Sequence, residues 1–282
     1  MSTDVEAIAQ IRADDPAVTR FRAERQRQLV RGRVRRGLVI ACQLAIIGAF
    51  IGVWQFAITT GLANPTFVGT PSEMFSELWL KTVDGTFIRD AVPTFSAVVV
   101  AFVLASVVGT LVGVVMNEFP FVDRVLQPLV SLVNSVPRIA LAPMLIVWFG
   151  LGMSSKVVLA FSLVVFIQLV ATESALKNVD EYLLLLSRSL GCSRWQTFAS
   201  VKIPWALPGI FGGFRLGMVY SVLSVVVSEM IASPDGLGQK IAYYSNTFAI
   251  STALATLLFL SIVTLVLVQI INVVESKLGT WQ

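Results

Sequence analysis

Histidine is absent from this chain of 282 residues, which removes Ser-His and Cys-His nucleophile pairs, H-E-x-x-H zinc sites and axial haem histidines together. Charge is scarce as well. Asp, Glu, Lys and Arg make up 13% of the residues, against roughly 25% in a soluble domain. There are two cysteines, Cys42 in an apolar run and Cys192 in a polar one, so no disulfide framework is expected. No G-x-x-x-x-G-K-[ST] stretch occurs, which closes the P-loop route to ATP and leaves any nucleotide energy to another subunit. Short-period repeats and obvious symmetry between the two halves are lacking too.

What is present is hydrophobic, at 56% of the chain, and the charges are segregated rather than scattered. The runs 37–72, 91–117 and 241–274 contain no Asp, Glu, Lys or Arg, and each exceeds the roughly 20 residues that a bilayer-crossing helix needs. Between Val125 and Ser155 the only charge is Arg138; residues 157–172 are uncharged but short; residues 206–232 carry only Arg215 and Glu229. The pattern predicts an all-α integral membrane protein with about six transmembrane helices: 38–60, 91–116, 121–149, 155–172, 206–232 and 249–274. Three units follow: a basic tail over 1–37, a transmembrane domain over 38–275 and a short tail over 276–282.

Orientation comes from the basic residues. Nine arginines precede Leu38, and Lys177, Arg188, Arg194 and Lys202 lie in the polar loop of the second half, whereas the segments assigned to the other side hold Lys81, Arg89, Lys156 and Lys240. Both termini and the polar loop are therefore placed in the cytoplasm by the positive-inside bias. The tail's five acids leave it +4, the whole net charge of the protein, so it reads as a topology signal touching anionic lipid and not as a nucleic-acid arm. Leu38–Thr60 is also too long for the apolar core of a secretory signal.

Before the second run, residues 72–79 bring Phe75, Leu78 and Trp79 onto one helical face, as expected of a short helix lying flat on the outer surface, under a soluble binding protein or as an interfacial anchor.

The polar loop, about 178–204, is the most informative segment. Asn178 with Glu181 three residues on is a candidate helix start, and Gly191 can leave that helix at positive φ. Ser193 and Gln196 have capping-box spacing for a second short helix, which Pro204 is expected to end. On it Trp195, Phe198 and Ala199 share one apolar edge beside Arg194 and Lys202. Such a face suits either a groove on a partner protein or the lipid headgroup layer.

The loop resembles the cytoplasmic coupling loop of binding-protein-dependent ABC importer permeases, whose core is E-A-A, three residues, a glycine, nine residues, then I-x-L-P. Gly191 is followed after nine residues by Val201-Lys202-Ile203-Pro204, while Leu185, Leu186 and Ser187 stand where the triplet would be. The likeness extends over residues 65–248: S-V-P-R-I-A-L-A-P-M-L-I-V-W-F-G-L-G ending at Gly152, V-K-I-P-W-A-L-P-G-I from Val201, S-E-M-I-A from Ser228 and G-L-G from Gly236 are similar to permeases of the nitrate/sulfonate/taurine branch. That branch usually has a proline and a small-residue turn in the fourth span, where this chain has Gln168.

The resemblance implies the type I ABC importer fold in a bacterial inner membrane. It implies a second permease chain in a homodimer, two ATP-binding subunits that hold ATP and Mg, and an extracytoplasmic substrate-binding protein; this chain itself would carry no cofactor. The solute would be small and polar, anionic or zwitterionic, like a sulfonate, nitrate or taurine, or else an unrelated small organic solute. Gly191, Ser193, Arg194, Trp195, Phe198 and Pro204 would couple to the ATPase.

For the path across the membrane the residues themselves point to several positions. Pro137 and Pro143 each remove a backbone donor at membrane depth, and Arg138 between them is costly in hydrocarbon unless it faces a cavity or reaches the interface. Ser221, Ser224 and Ser228 recur on one helical face with Glu229 beside them, a stripe expected to line a cavity or to pack against another helix. Gln168 is expected either to tune specificity or to make a helix contact. An intramembrane enzyme built on Glu173, Glu229, Ser224 or Ser228 would lack both a histidine and a paired carboxylate on the same span.

Overall fold

The computed structural model describes the backbone of residues 16–278, with side chains from residue 37; the arginine side chains of the basic tail and residues 279–282 lie outside the described residues. The chain divides into two units, residues 1–63 and 64–282. The first is a helix, α1, Pro16–Thr59, whose part from Gly37 is long and apolar enough to span a bilayer.

The second unit is helical throughout its described residues. A four-residue helix, α2 (Pro65–Val68), leads to α3 (Pro71–Val83), which Thr70 caps by accepting from the Glu73 N–H. A helix is thus present over the residues 72–79 where one was expected, and Phe75 and Trp79 are exposed on it. Then come α4 (Thr86–Glu118), α5 (Pro120–Asn134), a 3-10 turn (Arg138–Leu141), α6 (Ala142–Phe149), α7 (Met153–Lys177), α8 (Glu181–Ser189), α9 (Arg194–Thr197), a π turn (Phe198–Lys202), α10 (Ile203–Ala232), α11 (Leu237–Asn246) and α12 (Ile250–Leu278).

Among the described residues five helices have the length and composition of a span: α1 from Gly37, α4, α7, the run from Arg194 to Ala232, and α12. The α5–α6 pair passes the same test when its two helices are taken together, as a broken span or a re-entrant segment, and is bent by 70° at the break the prolines predict. The physical reason is local: Pro137 cannot donate to the helix, and Asn134, Ser135 and Val136 end α5 one turn earlier.

In the core of the second unit α7 lies between α4 and α10, at backbone-to-backbone distance. A Cβ at Gly109 would meet the Val165 carbonyl at 2.5 Å and one at Gly113 the Leu169 carbonyl at 2.9 Å. On the other side, Cβ atoms at Gly209 and Gly213 would meet the Ala175 and Ala171 methyls at 2.6 and 2.7 Å. Small residues at four-residue spacing are how helices come this close where lipid offers no hydrophobic drive. Phe87 of α4 stacks on Phe259 of α12 at 4.8 Å and closes one end of the core.

Two local expectations are corrected. Asn178 does not start α8: it caps the end of α7, and Asp180 accepts from the Tyr182 N–H at 2.8 Å instead. Pro204 does not end the second loop helix, because the π turn carries the chain directly into α10 and puts Pro204 in that helix's first turn. A helix that the sequence reading did not include, α11, precedes the last span, with Gly236 as its N-cap.

Candidate functional site

The polar loop forms a hook between α7 and α10. The end of α8 is a Schellman motif: the Cys192 N–H donates to the Ser187 carbonyl and the Gly191 N–H to the Arg188 carbonyl, both at 3.0 Å, with Gly191 at φ +75°. No atom lies within 4 Å of where a Gly191 Cβ would be, so the constraint there is conformational and not steric crowding. The capping box predicted for the second helix is complete: the Gln196 N–H donates to Ser193 Oγ at 3.3 Å, and the Ser193 N–H to Gln196 Oε1 at 2.8 Å. The two arms are joined by the Thr197 hydroxyl, 3.3 Å from Ser187 Oγ.

One ion pair ties the hook to a span, and others join the spans at its base. Lys202, in the π turn, donates to Glu118 at the end of α4 at 2.6 Å. Lys177, at the end of α7, meets Glu173 at 2.5 Å and Asp123 of α5 at 3.3 Å. The Trp205 indole donates to the Asn178 carbonyl at 3.3 Å.

The two aromatics expected to act together face differently. Phe198 packs on the cluster of Leu176, Ala206 and Ile210, inside the chain. Trp195, its ring centroid 5.6 Å from that of Phe198, is 73% exposed. Tyr182, Leu185, Leu186 and Leu190 are exposed on the first arm, as are Gly191, Ser193 and Arg194 at the corner and on the second. A recess there of about 480 Å³ is lined by Glu181, Tyr182, Leu184, Leu185 and Arg188.

The residues expected on a solute path fall into two groups. Pro137 is exposed at the bend, and Arg138 beside it is buried. The Arg138 guanidinium donates to the Ser162 carbonyl at 2.8 Å, the Val133 carbonyl at 3.0 Å and Asn134 Oδ1 at 3.1 Å, and it lies 4.1 Å from the Phe166 ring centre. Its Nε has no partner, and no carboxylate lies within salt-bridge distance among the described residues. The arginine thus holds the carbonyl end of α5 against α7, where a cation complements the helix dipole.

The second group is enclosed by this chain's own helices. Gln168 donates to Thr110 and Thr172 at 3.1 and 3.2 Å, between α4 and α10. The Ser221 hydroxyl donates to the Val98 carbonyl of α4 at 3.0 Å, and the Ser224 hydroxyl to its own helix at Tyr220. Ser228 is buried, and Glu229 is tied to Lys156, Thr94 and the Gly238 N–H at 2.9–3.0 Å. Lys156, read from sequence only as one more outer charge, is the residue sequence reasoning missed. A lone cation one turn into an apolar helix was its only signal.

Comparison with known proteins agrees with this architecture. The family described as "Binding-protein-dependent transport system inner membrane component" matches residues 105–279, more than half of the chain. The taurine transport system permease protein of Escherichia coli is 26% identical over 247 residues, covering 86% of this chain and 90% of that one. The riboflavin transport system permease protein of Chloroflexus aurantiacus is 28% identical over 248 residues, covering 87% and 90%. Among solved structures, an inward-facing form of the MetNI methionine ABC transporter superposes with a TM-score of 0.57 at 21% identity, over 68% of this chain and 94% of that one, a likeness of fold. The charge-poor apolar helices, the bent helix pair, the two-armed hook and the family match over residues 105–279 have one reading: this chain belongs to the family of binding-protein-dependent transport system inner membrane components.

Proposed function

We propose that the chain is the permease subunit of an ATP-driven importer, working as a homodimer with two ATP-binding subunits on the hook side and a solute-binding protein on the opposite, extracytoplasmic side. ATP and Mg are held by the ATP-binding subunits, and both termini of the permease are cytoplasmic. The observation that carries this reading is the hook. Its corner is set by the Schellman glycine and the capping box, it exposes Trp195 and the Tyr182–Leu190 face, and it is bonded to the end of α4 by Lys202, beside the α7–α5 junction that Lys177 holds through Asp123. A rigid corner with apolar groups outside and an ion pair to a span can pass a push from a docked subunit into the membrane.

Transport is then alternation between two arrangements of the spans, with the chain supplying a path and no bond chemistry. The bend at Pro137 and Arg138 is the path segment this reading favours; Gln168, Ser221, Ser224, Ser228 and Glu229 belong to the body that moves. The solute class is a small polar anion or zwitterion, following the name of the taurine relative, while the riboflavin relative keeps a larger organic solute as the competing class.

The test is Gly191→Val. A β-branched residue resists φ +75°, so the second arm should tilt while the spans remain inserted. We expect the variant to reach the membrane and to lose both uptake and solute-stimulated ATP hydrolysis. Normal values of both would dismiss the hook as the coupling element. Exposed Tyr182, Leu185 and Trp195 also suit a headgroup surface, and retention of a full set of ATP-binding subunits by Trp195→Ala would favour that second reading.

A further inference from the structure

The stripe that ends in Glu229 contains a buried charge, and buried charge needs a physical account. Both carboxylate oxygens of Glu229 are engaged. Oε1 accepts from Lys156 Nζ at 2.9 Å, Oε2 accepts from the Gly238 N–H at 2.9 Å, and the Thr94 hydroxyl lies 3.0 and 2.9 Å from the two oxygens. Thr94 Oγ1 in turn accepts from the Leu237 N–H at 2.9 Å. Leu237 and Gly238 open α11, so a carboxylate and a hydroxyl satisfy two of the N–H groups that the start of a helix leaves free, at its positive end.

The ammonium is matched equally well. Besides Glu229, Lys156 Nζ meets Asp235 Oδ1 at 2.9 Å and the Asp235 carbonyl at 3.4 Å, three acceptors for three N–H bonds. Lys156 and Glu229 are 3% and 1% exposed, whereas the Asp235 side chain is 60% exposed. The carboxylate also sits within the loop backbone. A Cβ at Gly236 would fall inside it, and one at Gly238 would lie 2.7 Å from the Glu229 Cβ. Four elements meet here: α4 through Thr94, α7 through Lys156, α10 through Glu229, and α11 through its first two residues.

We infer that Lys156 and Glu229 form a lock that positions α11 on the outer ends of α4, α7 and α10 and binds the four into one body, rather than forming part of the solute's path. A path wall must offer polar groups to water or solute, and this carboxylate has its acceptors occupied by the chain itself. That the body carries transport rests on the permease reading; the lock's geometry does not. Lys156 and Glu229 are positioning residues, acting on transport through where α11 sits.

The test uses the full chain in proteoliposomes, with Cys42 and Cys192 replaced by serine and a reporter thiol from Leu237→Cys, a position that is fully buried. With the lock intact the thiol should be shielded from a water-soluble maleimide. Glu229→Gln leaves the Lys156 ammonium with only the largely exposed Asp235 carboxylate, and Lys156→Met strands the buried carboxylate. Each should raise the labelling rate at least about tenfold, because breaking one side of a buried pair is far costlier than removing both. The neutral pair Lys156→Met with Glu229→Gln keeps an acceptor for the Gly238 N–H and should return labelling close to the starting rate.

Unchanged labelling in both single variants would overturn the lock. So would rapid labelling before either is introduced, which is the outcome expected if the region lines a water-filled path. Should the single variants not be recoverable from the membrane, the neutral pair decides: a folded, shielded double variant supports the lock, and its loss overturns it. None of these readouts involves the ATP-binding subunit, so a failed lock and a failed coupling hook are told apart.

Discussion

At the end where α7 begins and α10 finishes, Lys156 and Glu229 are buried and every donor and acceptor has a partner within the chain. At the end where α7 finishes and α10 begins, about 37 Å away by the 1.5 Å rise of 25 helical residues, Tyr182, Leu185, Leu190 and Trp195 are exposed. One end hides charge in an apolar setting; the other shows apolar surface in a polar segment. Each inverts the ordinary rule for its surroundings, and the difference shows what each region is for. Under the lock and the hook proposed above, the buried charge fixes where α11 sits and the exposed apolar groups are the face that a docked subunit would cover.

The largest expected effect breaks the first end. Lys156→Met alone should lower the stability of the full chain by about 3–5 kcal/mol, read as a drop in its unfolding temperature in detergent, because it strands a fully enclosed carboxylate. A shift no larger than that of a surface substitution would erase the contrast between the ends.

Trp195→Ala addresses the second end. It should leave the unfolding temperature of the isolated chain within about 0.5 kcal/mol of unchanged, since the ring is mostly exposed. Its expected cost is in affinity for the ATP-binding subunit, about 2 kcal/mol or more for an aromatic anchor, measured by titrating that subunit onto the reconstituted chain. A stability loss with affinity intact would reverse the assignment. Phe198→Ala is the control, because its ring packs inside and its loss should register in stability.

The helix connecting the two ends is probed by Gly213→Ala. The added methyl would meet Gln168 Oε1 at 2.6 Å and the Ala171 methyl at 2.7 Å, overpacking the α7–α10 seam at a cost of about 1–3 kcal/mol. Thermal unfolding checks it. No change would mean that the seam is looser than a rigid connection between hook and lock requires.

Smallest is the response of an exposed carboxylate to acid. The Thr86 N–H, 2.8 Å away, and then the Thr86 side chain hold the Asp84 carboxyl below the usual carboxylate range. A lowered folded value adds stability above the unfolded one, near pH 4, and that contribution fades as pH falls through the folded value. Asp84→Asn, which keeps the acceptor but removes the charge, should lower stability slightly at neutral pH, where that contribution is fully present, and converge with the native chain at acid pH, so that the acid side of the profile flattens. An unchanged acid limb would mean that the turn does not discriminate between the charged and neutral forms.

Local features were legible in the sequence. Charge-free runs marked the spans because a bilayer excludes charge whatever the neighbours are, and Gly191 and the Ser193–Gln196 spacing marked the hook because a positive φ and a capping box involve only residues close in the chain. Pro204 misled because a stop signal and a first-turn signal use the same missing N–H. The π turn ahead of it, which decides between them, has no composition of its own. The serine stripe was visible as a stripe, but the periodicity that aligns Ser221, Ser224 and Ser228 says nothing about whether water or α4 lies opposite.

The sequence by itself determined that this chain lives in a bilayer, roughly where it crosses, and that one polar segment must bend at a glycine, since hydration of charge and backbone sterics act over a turn or two of chain. Only the tertiary structure decided which polar groups face one another. Lys156 and Glu229 are 73 residues apart, and their meeting depends on α7 being held against α4 and α10 at Gly109, Gly113, Gly209 and Gly213. A side chain's charge is local, but its partner is set by which helices can approach closely enough to bring one within 3 Å.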